Sequence, residues 1–408
     1  MSLLPVAEAR ARILAAVSGP TDPERLPLSA CAGRTLAEDL VATRTQPPFA
    51  ASAMDGWAVR AADVARVPAT LATIGTSAAG KRFSGVVGPG EAVRIFTGAP
   101  IPEGADTIVV QENAEALPDG RVLIREGAAA GRFVRREGLD FREGDVLIPA
   151  GRRLDARALA LCAAMNHAAL QVRRRPRVAL IATGDELVLP GEVPGPDQIV
   201  ASNLFAIAAM VEAAGGQAIP LGIARDSVEA IRDKLEEARA AAPDILVTLG
   251  GASVGQHDLV QETLAAQGLA LGFWKIAMRP GKPLMFGTLD GLLVLGLPGN
   301  PVSSMVCALL FLQPAIRARL GDPRAGEMAT QAGILAAPLP ANDAREDYLR
   351  ANLTARPGAL PLVEAAPVQD SSMLGVLARA DALIVREAGA APLETGAVVE
   401  VLRLDGPM

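Results

Sequence analysis

The sequence predicts a multidomain α/β plus β architecture. A central doubly wound parallel sheet is expected beside an inserted β domain, a helical or extended linker domain and a small β-barrel-like domain at the C-terminus. Three observations lead there. Strand-like apolar runs alternate with helix-like stretches over 177–325, the pattern of a largely parallel sheet with helices on both faces. Short β-type runs between Gly/Pro turns fill 46–146 and 326–408, as compact β domains do. Helical stretches lie on either side of the first β region, so 1–45 and 147–176 are expected to pack together around it.

Taken in order, "VAEARARILAAV" at the N-terminus is amphipathic and carries Glu8, unlike a basic segment followed by an apolar signal core. The runs "AVRIF", "TIVVQE", "RVLIRE" and "DVLIPAG" follow as short strands. Asp155 is placed to cap a helix to about Asn166. "RVALIAT" then reads as a buried strand, and "SNLFAIAAMVEAA" as a helix stopped by Gly215–Gly216. "QAIPLGIA" is a strand; Asp226 with Glu229 three residues on has capping-box spacing for the next helix. "DILVTL" is a third strand, with more at about 271–277, 284–288 and 292–296. Pro301 opens a long apolar helix. The last region holds "ALIVRE" and "AVVEVLRL", with one helical stretch near Ser372–Ala380.

Composition narrows function. The formal charge of −6 argues against a nucleic-acid binder driven by bulk electrostatics. The longest uncharged stretch, Gly291–Ile316, is broken by "LPGNP", so no membrane span is expected. Three scattered cysteines and no Cys-x-x-Cys pair fit a reducing, cytoplasmic setting. Two histidines, His167 and His257, exclude a three-histidine metal site. Any metal is expected to be a hard cation on carboxylates. The arginine run Arg173–Arg177 reads as a solvated linker.

Three loops fall beyond strand carboxyl ends, where open α/β sheets bind ligands: "ATGDEL" (Ala182–Leu187), "LGGASVGQHD" (Leu249–Asp258) and "GLPGNPVSS" (Gly296–Ser304). Glycines let backbone N–H groups approach an anion, and a helix start adds partial positive charge. Three such loops on one edge favour a phosphate-bearing ligand over plain turns. Glu186, Asp226 and Asp258 share that edge; capping alone would explain either aspartate, but not Glu186. "WKIAMRPGKP" supplies Lys275, Arg279 and Lys282, in a chain with four lysines against 35 arginines.

With these loops in view, the chain resembles the MoeA family of molybdopterin molybdenumtransferases, which includes the gephyrin E domain. "PPFAASAMDGWAVR", "IFTGAPIPEGADTIVVQE" and "REGLDFREGD" resemble its first half; "ATGDEL", "GGASVGQHD", "MRPGKP" and "LPGNPVSS" match its ligand-binding domain in order. Alanines 50 and 51 and Trp57 stand where many members carry Asp-Asn and tyrosine. The resemblance implies a molybdopterin-binding central domain, an elongated homodimer, and insertion of molybdate into adenylylated molybdopterin with release of AMP in a Mg2+-dependent step. It also implies receipt of that substrate from a molybdopterin adenylyltransferase.

The roles it implies are as follows. Asp55, Thr97 and Asp140 would reach the partner subunit's site, and Glu186, Asp226 and Asp258 would serve pterin, phosphate and metal. Lys275, Arg279 and Lys282 would meet phosphates and oxyanion. Gly250, Gly251, Ser253 and Gly255 would cradle phosphate; Pro298, Pro301, Ser303 and Ser304 would shape the molybdate region, and Arg350 would come from the last domain. Two rivals remain open at this stage: a molybdopterin adenylyltransferase, and a non-catalytic scaffold of the same fold. Tungstate in place of molybdate is a third variant.

Overall fold

The computed structural model describes residues 3–251 and 259–404. Helix α1 (Val6–Ala15) and strand β1 (Pro23–Pro27) come first. The inserted domain follows with β2 (Gly56–Val59), β3 (Ala69–Ser77), β4 (Glu91–Ile95), β5 (Thr107–Val110), β6 (Ala114–Ala116) and β7 (Arg121–Ile124). They form one sheet in the order β5-β2-β4-β3-β7-β6. Alternation along β2 sends Trp57 and Val59 to one core and Ala58 to another, so both faces of the sheet are covered. Helix α2 (Ala156–Ala164), capped by Asp155 Oδ1 accepting from the Ala158 N–H at 2.8 Å, leads to β8 (Ala169–Arg173), which pairs with β1.

The α/β unit contains β9 (Arg177–Thr183), α3 (Ser202–Ala213), β10 (Gln217–Ala224), α4 (Val228–Ala240), β11 (Ile245–Leu249) and α5 (Leu259–Ala266). It continues through β12 (Ala270–Phe273), the two-residue β13 (Met278–Arg279), β14 (Met285–Leu289) and β15 (Leu292–Leu297). Helices α6 (Pro301–Cys307) and α7 (Gln313–Arg319) are joined through one π turn. The sheet order is β10-β9-β11-β15-β14-β12. Its first four strands are parallel, β14 runs against them, and β12 pairs antiparallel with β14, so the sheet is mixed at one edge. Period-two patterning divides the core. Val178, Leu180 and Ala182 join α3, α6 and α7 on one face, while Ala179 and Ile181 join α4 and α5 on the other. Pro301–Arg319 is the one stretch among the described residues long and apolar enough to cross a membrane; most of it is buried in that first face.

The C-terminal strands are β16 (Thr330–Leu335), β17 (Glu346–Arg356), β18 (Ala359–Ala365), β19 (Ala382–Arg386) and β20 (Val398–Arg403). Neighbours run β17-β18-β16-β20-β19, and β19 pairs back onto β17, closing a five-stranded barrel. The short β13 adds to β17 in parallel and ties the barrel to the α/β unit.

Three expectations change. Val6, Ala9 and Ile13 of α1 join the core of the α/β unit, whereas α2 packs with Cys31, Leu36 and Leu40. Only α1 departs from the expected packing of 1–45 with 147–176, since β1 pairs with β8 and residues 31–42 share a core with α2. The cap of α4 is Ser227, whose Oγ accepts from the Ala230 N–H at 3.1 Å, so Asp226 is not the cap. The arginine run is a seam and not a solvated linker. Arg173 donates to the carbonyls of Thr21 and Ala37 at 3.0 and 3.2 Å, Arg174 grips Asp244 with two bonds of 3.0 Å, and Arg175 pairs with Glu212. Apolar patterning reads none of this, because the partners lie far along the chain.

Candidate functional site

A cleft of about 1060 Å³ opens beyond the carboxyl ends of β9, β11 and β15, the usual ligand position in such sheets. It is at the upper end of the size range of small-molecule sites. Three of its walls come from the described residues of the three loops singled out above. In the first, Gly184 has φ +149°, and a Cβ there would stand 2.4 Å from Glu186 Oε2. The Glu186 carboxylate therefore folds back over the glycine, at the cleft lining. This loop is stapled to the one after β10. The Asp226 N–H donates to Asp185 Oδ1 at 3.1 Å, the Asp185 N–H to Asp226 Oδ2 at 3.4 Å, and Arg225 Nη1 to the Asp185 carbonyl at 2.8 Å. Glu186 and Asp226 thus line one cleft from adjoining loops.

The second wall is Gly250–Gly251, at φ +99° and +66°. A Cβ on Gly251 would stand 2.3 Å from Val260 Cγ2, so only glycine fits. Ser253, Gly255, His257 and Asp258 lie outside the described residues. In the third, Asn203 Nδ2 donates to the Gly299 carbonyl at 2.7 Å and Asn300 Nδ2 to Ser371 Oγ at 2.8 Å. Pro298, Pro301 and Ser303 reach the lining. Ser304 is fully buried outside it.

The basic side combines Arg279 and Lys282. Lys275 is not part of the lining; its Nζ rests 5.0 Å above the Trp274 ring. A fourth wall, Arg345 and Gln369–Ser372, comes from the barrel region. Sequence reasoning missed it, and the only signal was the polar cluster "QDSS". Arg350 lies beneath this wall, 1% exposed. Its Nε donates to Gln369 Oε1 at 3.0 Å and its Nη1 to the Asp370 carbonyl at 2.6 Å. It supports the wall without lining the cleft, and burial lowers its pKa.

The inserted domain carries a separate polar pair. Asp55 Oδ1 accepts from the backbone N–H and Oγ1 of Thr97 at 2.7 and 2.8 Å. Those bonds hold its carboxyl below the usual range. Arg94 stacks beside them over Trp57 and Phe96, 4.4 and 5.1 Å from the ring centroids. Asp140 is exposed on the same domain. None of Asp55, Thr97 and Asp140 lines this chain's cleft.

Among the described residues no group of three His, Cys, Asp or Glu side chains is gathered to hold a metal. Glu186 and Asp226 do bring hard carboxylate oxygens to one cleft, donors of the kind magnesium takes.

Residues 4–166 match the family model described as MoeA N-terminal region (domain I and II), 179–318 a probable molybdopterin binding domain, and 332–404 the MoeA C-terminal region (domain IV). A molybdopterin molybdenumtransferase from a Nostoc species is 37% identical over 390 residues, 94% of this chain and 89% of its own. Another from Haemophilus influenzae is 38% identical over 77% of each chain. A molybdopterin biosynthesis moeA protein from Pyrococcus horikoshii has a solved structure that aligns with TM-score 0.82 at 30% identity, covering 99% of this chain and 100% of that one.

Proposed function

Because this chain belongs to the MoeA family of molybdopterin molybdenumtransferases, we propose that it inserts molybdate into adenylylated molybdopterin and releases AMP. The observation that carries this reading is the cleft. Its volume of about 1060 Å³ suits a ligand of nucleotide size or larger, and its lining brings the carboxylates Glu186 and Asp226 together with Arg279 and Lys282. Molybdate is a tetrahedral dianion that must approach an anionic dithiolene. Arg279 and Lys282 lower that repulsion, and the Gly250–Gly251 turn lets a phosphate come close to the backbone. Ser303, Pro298 and Pro301 bound the space left for the oxyanion.

Glu186 and Asp226, with Asp258, would hold Mg2+, which when bound would offset charge on the leaving phosphate. No covalent enzyme nucleophile is needed. Asp55, Thr97 and Asp140 are assigned to the cleft of a second copy, since they stand outside their own. A homodimer follows, and light scattering at the mass of one chain would overturn it. The free thiols of Cys31, Cys162 and Cys307 fit a cytoplasmic protein fed by a molybdopterin adenylyltransferase.

Anaerobic incubation with adenylylated molybdopterin, Mg2+ and molybdate tests the reaction. AMP release and active cofactor are expected, both suppressed by a chelator; their absence with all components present sinks the reading. Gly184→Ala tests the Glu186 placement. The new Cβ must displace the carboxylate, and turnover is expected to fall by up to about 10²-fold, the cost of misplacing a reacting group by about 1 Å. Gly191→Ala is the control for strain alone, since Gly191 has φ +96° but nothing within 4 Å of a Cβ. Equal losses in both would detach Glu186 from the effect.

A further inference from the structure

The basic side of the cleft is held from the barrel. Arg279 donates Nε–H to Asp347 Oδ1 at 2.9 Å and Nη2–H to Asp347 Oδ2. Its Nη1 stands 3.7 Å from Asp343 Oδ2. Asp343 is in turn gripped by Arg345, through Nε at 3.1 Å and Nη2 at 2.6 Å. Charges thus alternate through Asp347, Arg279, Asp343 and Arg345, and both arginines line the cleft.

The innermost pair is unequal. The Asp347 side chain is 3% exposed and that of Arg279 47%. Their meeting is built into the backbone, because β13 runs parallel to β17 with Arg279 opposite Asp347. A half-exposed arginine on a free stem would sweep many rotamers. A carboxylate fork on its Nε–Nη2 edge fixes the guanidinium plane at the cleft lining, with Nη1 beside Asp343.

We propose that Asp347 is a positioning residue for Arg279, so that the barrel aims the cleft's guanidinium and sets its affinity for oxyanions. The proposal rests on reading the cleft as an oxyanion site. A double-mutant cycle on the full chain tests it, with wild type, Asp347→Asn, Arg279→Ala and the double variant. Binding of sodium molybdate and of AMP is read by equilibrium dialysis, and folding by calorimetry.

Asp347→Asn is expected to weaken binding of at least one probe roughly tenfold, within the range of coupling between contacting residues. It should have no further effect once Arg279 is alanine. Asp347→Glu, which keeps the charge but moves it outward, is expected to fold and also bind weakly. Wild-type affinity in either Asp347 variant overturns the proposal. So does an equal loss on both Arg279 backgrounds, the mark of a general structural role, and so does a wild type that binds neither probe. Absent AMP release by a wild type that binds both probes counts against the reaction alone, because the binding cycle still decides Asp347.

Discussion

Asp226→Asn is expected to lower AMP release by about 10²–10³-fold, the scale of removing one preorganised electrostatic group from an enclosed site, with the melting temperature unchanged. The expectation rests on a separation of duties. Helix α4 is capped by Ser227 through the Ala230 N–H, so Asp226 carries no capping load. Asparagine retains an amide oxygen that can accept from the Asp185 N–H, and the link between the two loops survives. What it removes is the negative charge facing the cleft. Ser227→Ala is the complementary variant. It should cost about 1 kcal/mol of stability and leave AMP release unchanged. Wild-type turnover in Asp226→Asn would reduce this residue to a loop staple.

Asp244→Ala is expected to destabilise the protein by about 3 kcal/mol, visible as a calorimetric shift of about 3–4 °C. Asp244 accepts two bonds from Arg174 and one each from Arg319 at 2.6 Å and the Arg177 N–H at 2.7 Å. Its side chain is 8% exposed, and those of Arg319 and Arg174 are 13% and 38%. Partial solvation of Arg174 puts the loss at the low end for a broken buried network. Burial opposes ionisation of Asp244, but its bonds from Arg174, the Arg177 N–H and Arg319 outweigh that and hold the carboxyl below its usual range. The sign follows from the depressed folded value. Stabilisation is full above the unfolded carboxyl pKa of about 3.9 and is lost as pH falls through the folded one. The gap between wild type and variant should therefore close in acid. A gap that widened would contradict this assignment.

The features legible in the sequence are the local ones. "RVALIAT" and "DILVTL" announce buried strands by composition, and period two then decides which helix layer each residue meets. The loops at Gly184, Gly250 and Gly299 were readable because glycine after a strand has few uses. What the sequence hid depends on distant partners. Nothing near Arg350 announces its burial beneath Gln369 and Asp370; Lys275 rests on its own neighbour Trp274, a rotamer choice that composition does not reveal. Asp226 and Ser227 are adjacent and both suit a cap; backbone geometry alone chooses between them. The fate of α1 was hidden likewise, since its apolar stripe fits any apolar surface.

The fourth wall, Gln369–Ser372, has a consequence in time. Chains emerge from the ribosome N-terminus first, and domains fold as units in that order. The glycine loops, Arg279 and Lys282 all precede residue 325, yet the chamber they border lacks a side until the final strands have closed and Arg350 has drawn Asp370 inward. A half-made chain can therefore form three walls of the cleft but not the fourth, which waits for the strands after residue 372. Afterwards the relation reverses: a ligand touching both units favours their closed arrangement, so occupancy should protect the barrel's attachment against proteolysis.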